Sequence, residues 1–138
     1  MLLSRACEYA IQTIIYLAKR GGDNYISVKE ISEKSSIPFY FLGKIVQKLN
    51  KNGLLISYKG PNGGVALAKP ADKITLLEVV EAVDGLEFKN KCVIGLPRCD
   101  DNSPCPLHRK WEVVREEIAR MLGSRNVSEL LDGVEKES

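Results

Sequence analysis

Residues 27–68 string together three signals that leave few folds open. Ser27-Val-Lys-Glu30 reads as a capping box, the serine accepting from a first-turn amide and the glutamate reaching back, so a short helix runs through Ile31 to about Lys34. After the turn at Ser35, Ser36 and Ile37, Pro38 suits the first position of the next helix, where a missing amide hydrogen costs nothing. Phe41, Leu42, Ile45, Val46 and Leu49 give that helix an inward stripe, and Asn50 to Gly53 stop it. Leu54 to Tyr58 and Val65 to Ala68 have strand character on either side of the turn formers Lys59-Gly60-Pro61-Asn62-Gly63-Gly64. Two short helices across a tight turn, followed at once by a β-hairpin, make a winged helix-turn-helix. Glycines at the hairpin tip suit a backbone at positive φ and let the tip come close to a DNA groove.

The flanking segments are helical. Leu3, Ala6, Ala10, Ile14 and Leu17 recur at steps of three and four, predicting a helix over Leu3 to Lys19 that Gly21 and Gly22 end. Thr75-Leu-Leu-Glu78 is a second capping box, opening a helix through Val79, Val80 and Val83 that Gly85 closes. From about Leu107 a long helix carries Leu107, Trp111, Val114, Ile118 and either Met121 or Leu122, a near-heptad stripe that suits a dimer seam or packing within the chain. A short Ser128-capped turn of helix and an acidic tail with Glu129, Asp132, Glu135 and Glu137 follow. The expected class is mainly α with a small β-hairpin. Residues 1–85 form a winged helix-turn-helix DNA-binding domain with its wing at about 54–68, residues 86–106 a cysteine-rich loop, and residues 107–138 a dimerisation helix and acidic tail.

Charge is segregated along this plan. The 138 residues sum to only +2, yet Lys34 to Ala71 contain no Asp, Glu or Arg and six lysines: Lys34, Lys44, Lys48, Lys51, Lys59 and Lys69. The rest of the chain holds 14 basic against 18 acidic groups. A single-sign field over the helix pair and the hairpin steers anionic partners. Lys44, Lys48 and Lys51 are suited to neutralising phosphate, Tyr40 and Gln47 to reading base edges, and Lys59 with Gly60, Pro61, Asn62, Gly63 and Gly64 to contact through the wing. Two such units related by a twofold axis would meet a palindromic operator in double-stranded DNA. The chain shows neither a signal peptide nor a membrane span, since Ser4 and Arg5 interrupt the first apolar residues and Lys19 and Arg20 end the next run. A cytoplasmic protein without membrane association is therefore expected.

Three of the four cysteines fall together. Cys92, Cys99 and Cys105 have six and five residues between them, and His108 follows the last after two intervening residues. Lys91, Arg98, Asp100, Asp101 and Asn102 around them are not core residues, so packing does not account for the thiols. A structural zinc site, metal-free redox cysteines, a disulfide and an iron-sulfur cluster are all compatible with these residues, although zinc sites usually begin with closer cysteine pairs and wider loops suit a larger object than one ion. Cys7 reads as a small packing residue of the first helix. One histidine with no nucleophile beside it, and no glycine-rich phosphate loop, zinc-protease motif or kinase motif, argue against an enzyme.

Cys7-Glu-Tyr-Ala10, Ile31-Ser32, Leu49 with Lys51-Asn-Gly-Leu54, the wing Lys59-Gly-Pro-Asn-Gly-Gly64, Val83-Asp84 and the three-cysteine loop together resemble the bacterial winged-helix regulators that include IscR, NsrR and CymR. The resemblance spans nearly the whole chain. It implies a homodimeric transcription factor whose long C-terminal helices cross. It also implies a 2Fe-2S or 4Fe-4S cluster on Cys92, Cys99 and Cys105 that senses cluster supply, iron, nitric oxide or redox stress. For the fourth ligand it offers two positions, His108 or, from the other subunit's first helix, Glu8. Other members lack the cysteines and sense metabolic partners. The alternatives from a different class are a redox or electron-transfer module that does not bind DNA, and a regulator with structural zinc in place of the cluster.

Overall fold

Ser4 sets where the first helix begins: its Oγ accepts from the Cys7 amide at 3.0 Å, so α1 is Arg5–Lys19 and Leu3 stays outside, half-buried against the core. The computed structural model describes residues 3–20, 24–85 and 106–131; Gly21, Gly22, the three clustered cysteines and the tail from Asp132 on lie outside them. Along α1, Cys7, Ala10, Thr13, Ile14 and Leu17 are buried. Thr13 satisfies its hydroxyl by donating to the Tyr9 carbonyl one turn back, at 2.8 Å.

The helix pair is α2, Val28–Ser35, and α3, Phe39–Lys51. Ser27 caps α2 as expected, its Oγ accepting from the Glu30 amide at 3.1 Å, but the return arm of the box is absent. Glu30 instead accepts from the Tyr16 hydroxyl at 2.8 Å and from Arg20 at 2.9 Å, fastening α2 to α1. Glu78 behaves alike: Thr75 caps α4, Leu76–Asp84, while Glu78 pairs with Lys69. In both boxes a partner brought by the fold displaces the local one. Pro38 is the N-cap of α3 rather than its first residue, one position earlier than expected, and the Leu42 amide donates to its carbonyl at 2.9 Å. The turn between the helices closes on Ser36 in the left-handed region, φ 55°, its amide bonded to the Ser32 carbonyl.

Strands β1, Leu55–Tyr58, and β2, Gly64–Leu67, pair antiparallel with Leu55 opposite Leu67 and Tyr58 opposite Gly64. The sheet is wider than the sequence shows, because Ile26 bridges Val65 through hydrogen bonds of 2.9 and 2.8 Å. This added segment corrects the reading of the tip glycines. Of Gly60, Gly63 and Gly64, only Gly60 has positive φ, at 139°. Gly63 and Gly64 are required by the protein's own backbone: a Cβ there would lie 2.2 Å from the Tyr58 and Ile26 carbonyl oxygens respectively. Gly64→Ala should therefore part the wing from Ile26 and lower stability by about 2 kcal/mol or more in denaturant titration.

α4 packs on α1 and α3, completing a core of Ile14, Leu17, Ile31, Ile37, Leu42, Leu49, Leu55, Ile74, Val79 and Val80. The long helix α5, His108–Ser124, joins this core at its far end, where Leu122 and Val127 are buried. There the Val127 amide donates to the Ile74 carbonyl at 2.8 Å. The turn of helix at 127–131 is capped by Asn126 and not by Ser128: Asn126 Oδ1 accepts from the Glu129 amide at 2.9 Å, and Glu129 Oε1 accepts from the Asn126 amide at 3.3 Å. The fold is thus mainly α with a two-stranded antiparallel hairpin. Among the described residues, no helix is long and apolar enough to cross a membrane.

Candidate nucleic-acid interface

Helix α3 has two faces. Leu42, Ile45, Val46 and Leu49 are buried, while Tyr40, Lys44, Gln47, Lys48 and Lys51 are exposed. At about 100° per residue, Tyr40, Lys44, Gln47 and Lys51 fall within an arc of about 60°, with Lys48 at its edge. Tyr40 is 77% exposed at the head of the helix, and the Lys44 ammonium lies 4.8 Å from its ring centroid. That cation–π contact holds an aromatic side chain and a charge together on the outer surface. The first turn of α3 has no acidic residue and its N-cap, Pro38, offers no side-chain acceptor. The partial positive charge of the helix start thus faces outward beside Tyr40, suited to a phosphate.

Lys48 leaves this arc. Its Nζ approaches the Val83 carbonyl at 3.4 Å, at the end of α4. The wing's Lys59, Gly60, Pro61 and Asn62 are exposed, and Gly63 and Gly64 half-buried beneath them. The Gly63 amide closes the tip on the Gly60 carbonyl at 3.0 Å. Sequence reading missed three aromatic groups near this surface. Phe39 is exposed beside Tyr40, and Tyr25 and Tyr58 pack with ring centroids 5.5 Å apart at the base of the wing. The only sequence signal for the Tyr25 contact was Tyr58 itself, an aromatic on the open face of a strand.

The cysteine-bearing segment divides differently. Cys92, Cys99 and Cys105 lie outside the described residues. Of the two candidates for a fourth ligand, His108 is the first residue of α5 and 3% exposed, and Glu8 is exposed in the first turn of α1. Among the described residues no three His, Cys, Asp or Glu side chains converge to hold a metal ion. Cys7 is fully buried, as its packing role requires. Burial, then the charges of Asp84 and Glu8, push its thiol from an ordinary 9.0 up to about 12. The unfolded chain therefore loses this proton first, so the thiol's contribution to stability is intact below pH 9 and is lost as pH rises toward 12. Between pH 9 and about 12, stability should fall more steeply with pH in the unmodified protein than in Cys7→Ala, by roughly 1 kcal/mol per pH unit in urea titrations.

Helix α5 keeps apolar side chains in the open. Of the expected stripe, Leu122 packs inward and Trp111 and Ile118 are half-buried. Leu107, Val114 and Met121 are exposed, together with Val113 at 61%.

The chain matches, over residues 3–133, the family model described as "Rrf2: Iron-dependent Transcriptional regulator". It is 33% identical over 138 residues to a protein of Aquifex aeolicus (strain VF5) classed with HTH-type transcriptional regulators, covering 99% of this chain and 95% of the other. It is 31% identical over 135 residues to the HTH-type transcriptional regulator IscR of Xenorhabdus nematophila, covering 98% of this chain and 82% of the other. Among solved structures, CymR, the global cysteine regulator of B. subtilis, superposes with a TM-score of 0.77 at 24% identity, covering 94% of this chain and 95% of that one. The IscR of T. potens gives the same TM-score and identity over 99% of this chain and 90% of that one. These two structures have the same winged-helix fold.

Proposed function

The chain belongs to the Rrf2 family of transcriptional regulators, and from that premise we propose that it is a homodimeric DNA-binding regulator that reads the state of an iron-sulfur cluster. Its relatives are regulators of transcription and not enzymes, and DNA is the partner that such a function implies. The observation that carries the reading is the outward arc of Tyr40, Lys44, Gln47 and Lys51 on α3, set in a stretch of the chain whose only charges are lysines. Lys44, Lys51 and Lys59 neutralise phosphate and fix register. Tyr40 and Gln47 reach base edges, and the tip from Gly60 through Pro61, Asn62 and Gly63 to Gly64 lies along neighbouring backbone or minor groove. Lys48 carries the same charge, but its Nζ lies against the Val83 carbonyl, which gives it a different task from the other three lysines.

The division of labour follows the chain: residues 1–85 bind DNA, 86–106 hold the cluster, and 107–138 dimerise. The exposed Val113, Val114 and Met121 support a seam along α5, since a helix that leaves such residues open covers them with a second copy more cheaply than with water. Dimerisation places two α3 faces on successive major grooves, which requires a palindromic operator with half-site centres a whole number of turns apart. A chain of this kind works in the cytoplasm.

Three thiolates and one imidazole are a donor set that suits an iron-sulfur cluster, with Cys92, Cys99 and Cys105 as the thiolates. His108 supports the fourth place through its burial at the head of α5, three residues beyond Cys105. Glu8 of the partner subunit is the alternative. A bound cluster, 2Fe-2S or 4Fe-4S, would supply a group that changes with iron, nitric oxide or oxidants. Anaerobic purification followed by absorption, iron and sulfide analysis tests this directly. A brown protein with matched iron and sulfide is expected. A colourless protein with stoichiometric zinc would contradict the cluster and leave DNA binding untouched.

A further inference from the structure

We infer that Lys48 and Asn52 are positioning residues, seating the recognition helix α3 on the last turn of α4 so that this turn sets how the α3 face meets DNA. Three observations converge on that turn. Lys48 Nζ reaches the Val83 carbonyl at 3.4 Å, while Asn52 Nδ2 donates to the Lys48 carbonyl at 2.7 Å and approaches the Ala82 carbonyl at 3.5 Å. The last turn of α4 has no basic residue of its own, so the partial negative charge of its carbonyls is met by the ammonium of Lys48 from α3. Asp84, in the same turn, accepts from both the amide, at 2.9 Å, and the hydroxyl of Ser4, the cap of α1.

One helical turn thus gathers α3, which faces DNA, and the start of α1, which bears Glu8. Gly85 closes it at φ 71°, and the cysteine-bearing segment is the next stretch of chain. Lys48 lies at the edge of the α3 arc, on the side of α4, whereas Lys44 and Lys51 lie within it. Any change that moves the end of α4 is passed to α3 through these contacts. The inference rests on the DNA-binding and sensing reading given above and says which residues connect its two halves.

The test measures affinity for a palindromic duplex selected from a randomised pool, over a series of salt concentrations, with anaerobically purified protein and with the same protein after its iron is stripped. Lys44→Ala should lower the slope of log affinity against log salt by about 0.9 per subunit, because a phosphate contact is lost. Lys48→Met should weaken binding by about tenfold with the slope unchanged, and Lys48→Arg, which keeps charge and reach, should restore affinity. In Lys48→Met with Asn52→Ala, the affinity ratio between as-purified and iron-stripped protein should fall toward one. A slope for Lys48→Met reduced as far as that for Lys44→Ala makes Lys48 a phosphate contact and overturns the inference, as does an affinity ratio that survives in the double variant. A flat salt response in the unmodified protein would instead remove the DNA-binding reading, and with it this inference.

Discussion

Reversing charge at Lys44 and Lys51 together, to Glu, is expected to weaken binding to duplex DNA by about a thousandfold while the protein stays folded and keeps its colour. The two side chains lie on the exposed arc of α3, and neither is used by the core. A dimer loses four phosphate contacts, and at about 1 kcal/mol each that is close to three powers of ten. Repulsion between the new carboxylates and phosphate deepens the loss. Glutamate is a good helix former, so α3 itself is preserved. Tyr40 also loses the cation held over its ring, which loosens the aromatic group at the head of the helix. An electron-transfer module that merely carries lysines would keep its full function in this variant. Mobility-shift titration at fixed salt, with circular dichroism on the same samples, separates these outcomes.

The second large effect concerns the cysteines. Cys92→Ala, Cys99→Ala and Cys105→Ala in one chain should abolish bound iron and the visible chromophore, leaving the helical signal in place. The described core is built from residues of α1 to α4, the wing and the end of α5, and Cys7, its one cysteine, is not among the three. Thiolates supply most of the binding energy for iron, so a single imidazole or carboxylate cannot retain it. His108→Ala and Glu8→Ala then divide the fourth position between them. Whichever weakens or shifts the chromophore identifies the ligand, and Cys7→Ala should leave the spectrum unchanged. A protein that stays brown without all three cysteines refutes the assignment.

Much of this architecture was legible because local signals and tertiary packing agree. Ser27 and Thr75 cap helices in the expected places, since a hydroxyl before an apolar stripe has few better uses than the first free amides. The stripe from Leu42 to Leu49 and the hairpin around Gly60 are likewise visible in the order of residue types. What escaped depends on long-range partners. Nothing near Glu30 in the sequence announces Tyr16 and Arg20, and nothing near Gly64 announces the Ile26 carbonyl against which no Cβ fits. Lys48 shows the same limit: as a lysine on an exposed helix it reads as a phosphate contact, and only the proximity of Val83 gives it a different partner. Met121 and Leu122 were equally suited to the α5 stripe, and packing against α4 chose Leu122 for the interior.

The central claim is that this chain binds DNA through a lysine-bearing face repeated in a dimer. The salt dependence of its affinity for a selected palindromic duplex, followed by fluorescence anisotropy between about 50 and 200 mM salt, tests that claim most directly. With about six to ten phosphates neutralised per dimer, affinity should drop by about three to five powers of ten across that range. An affinity that stays flat with salt would contradict the account.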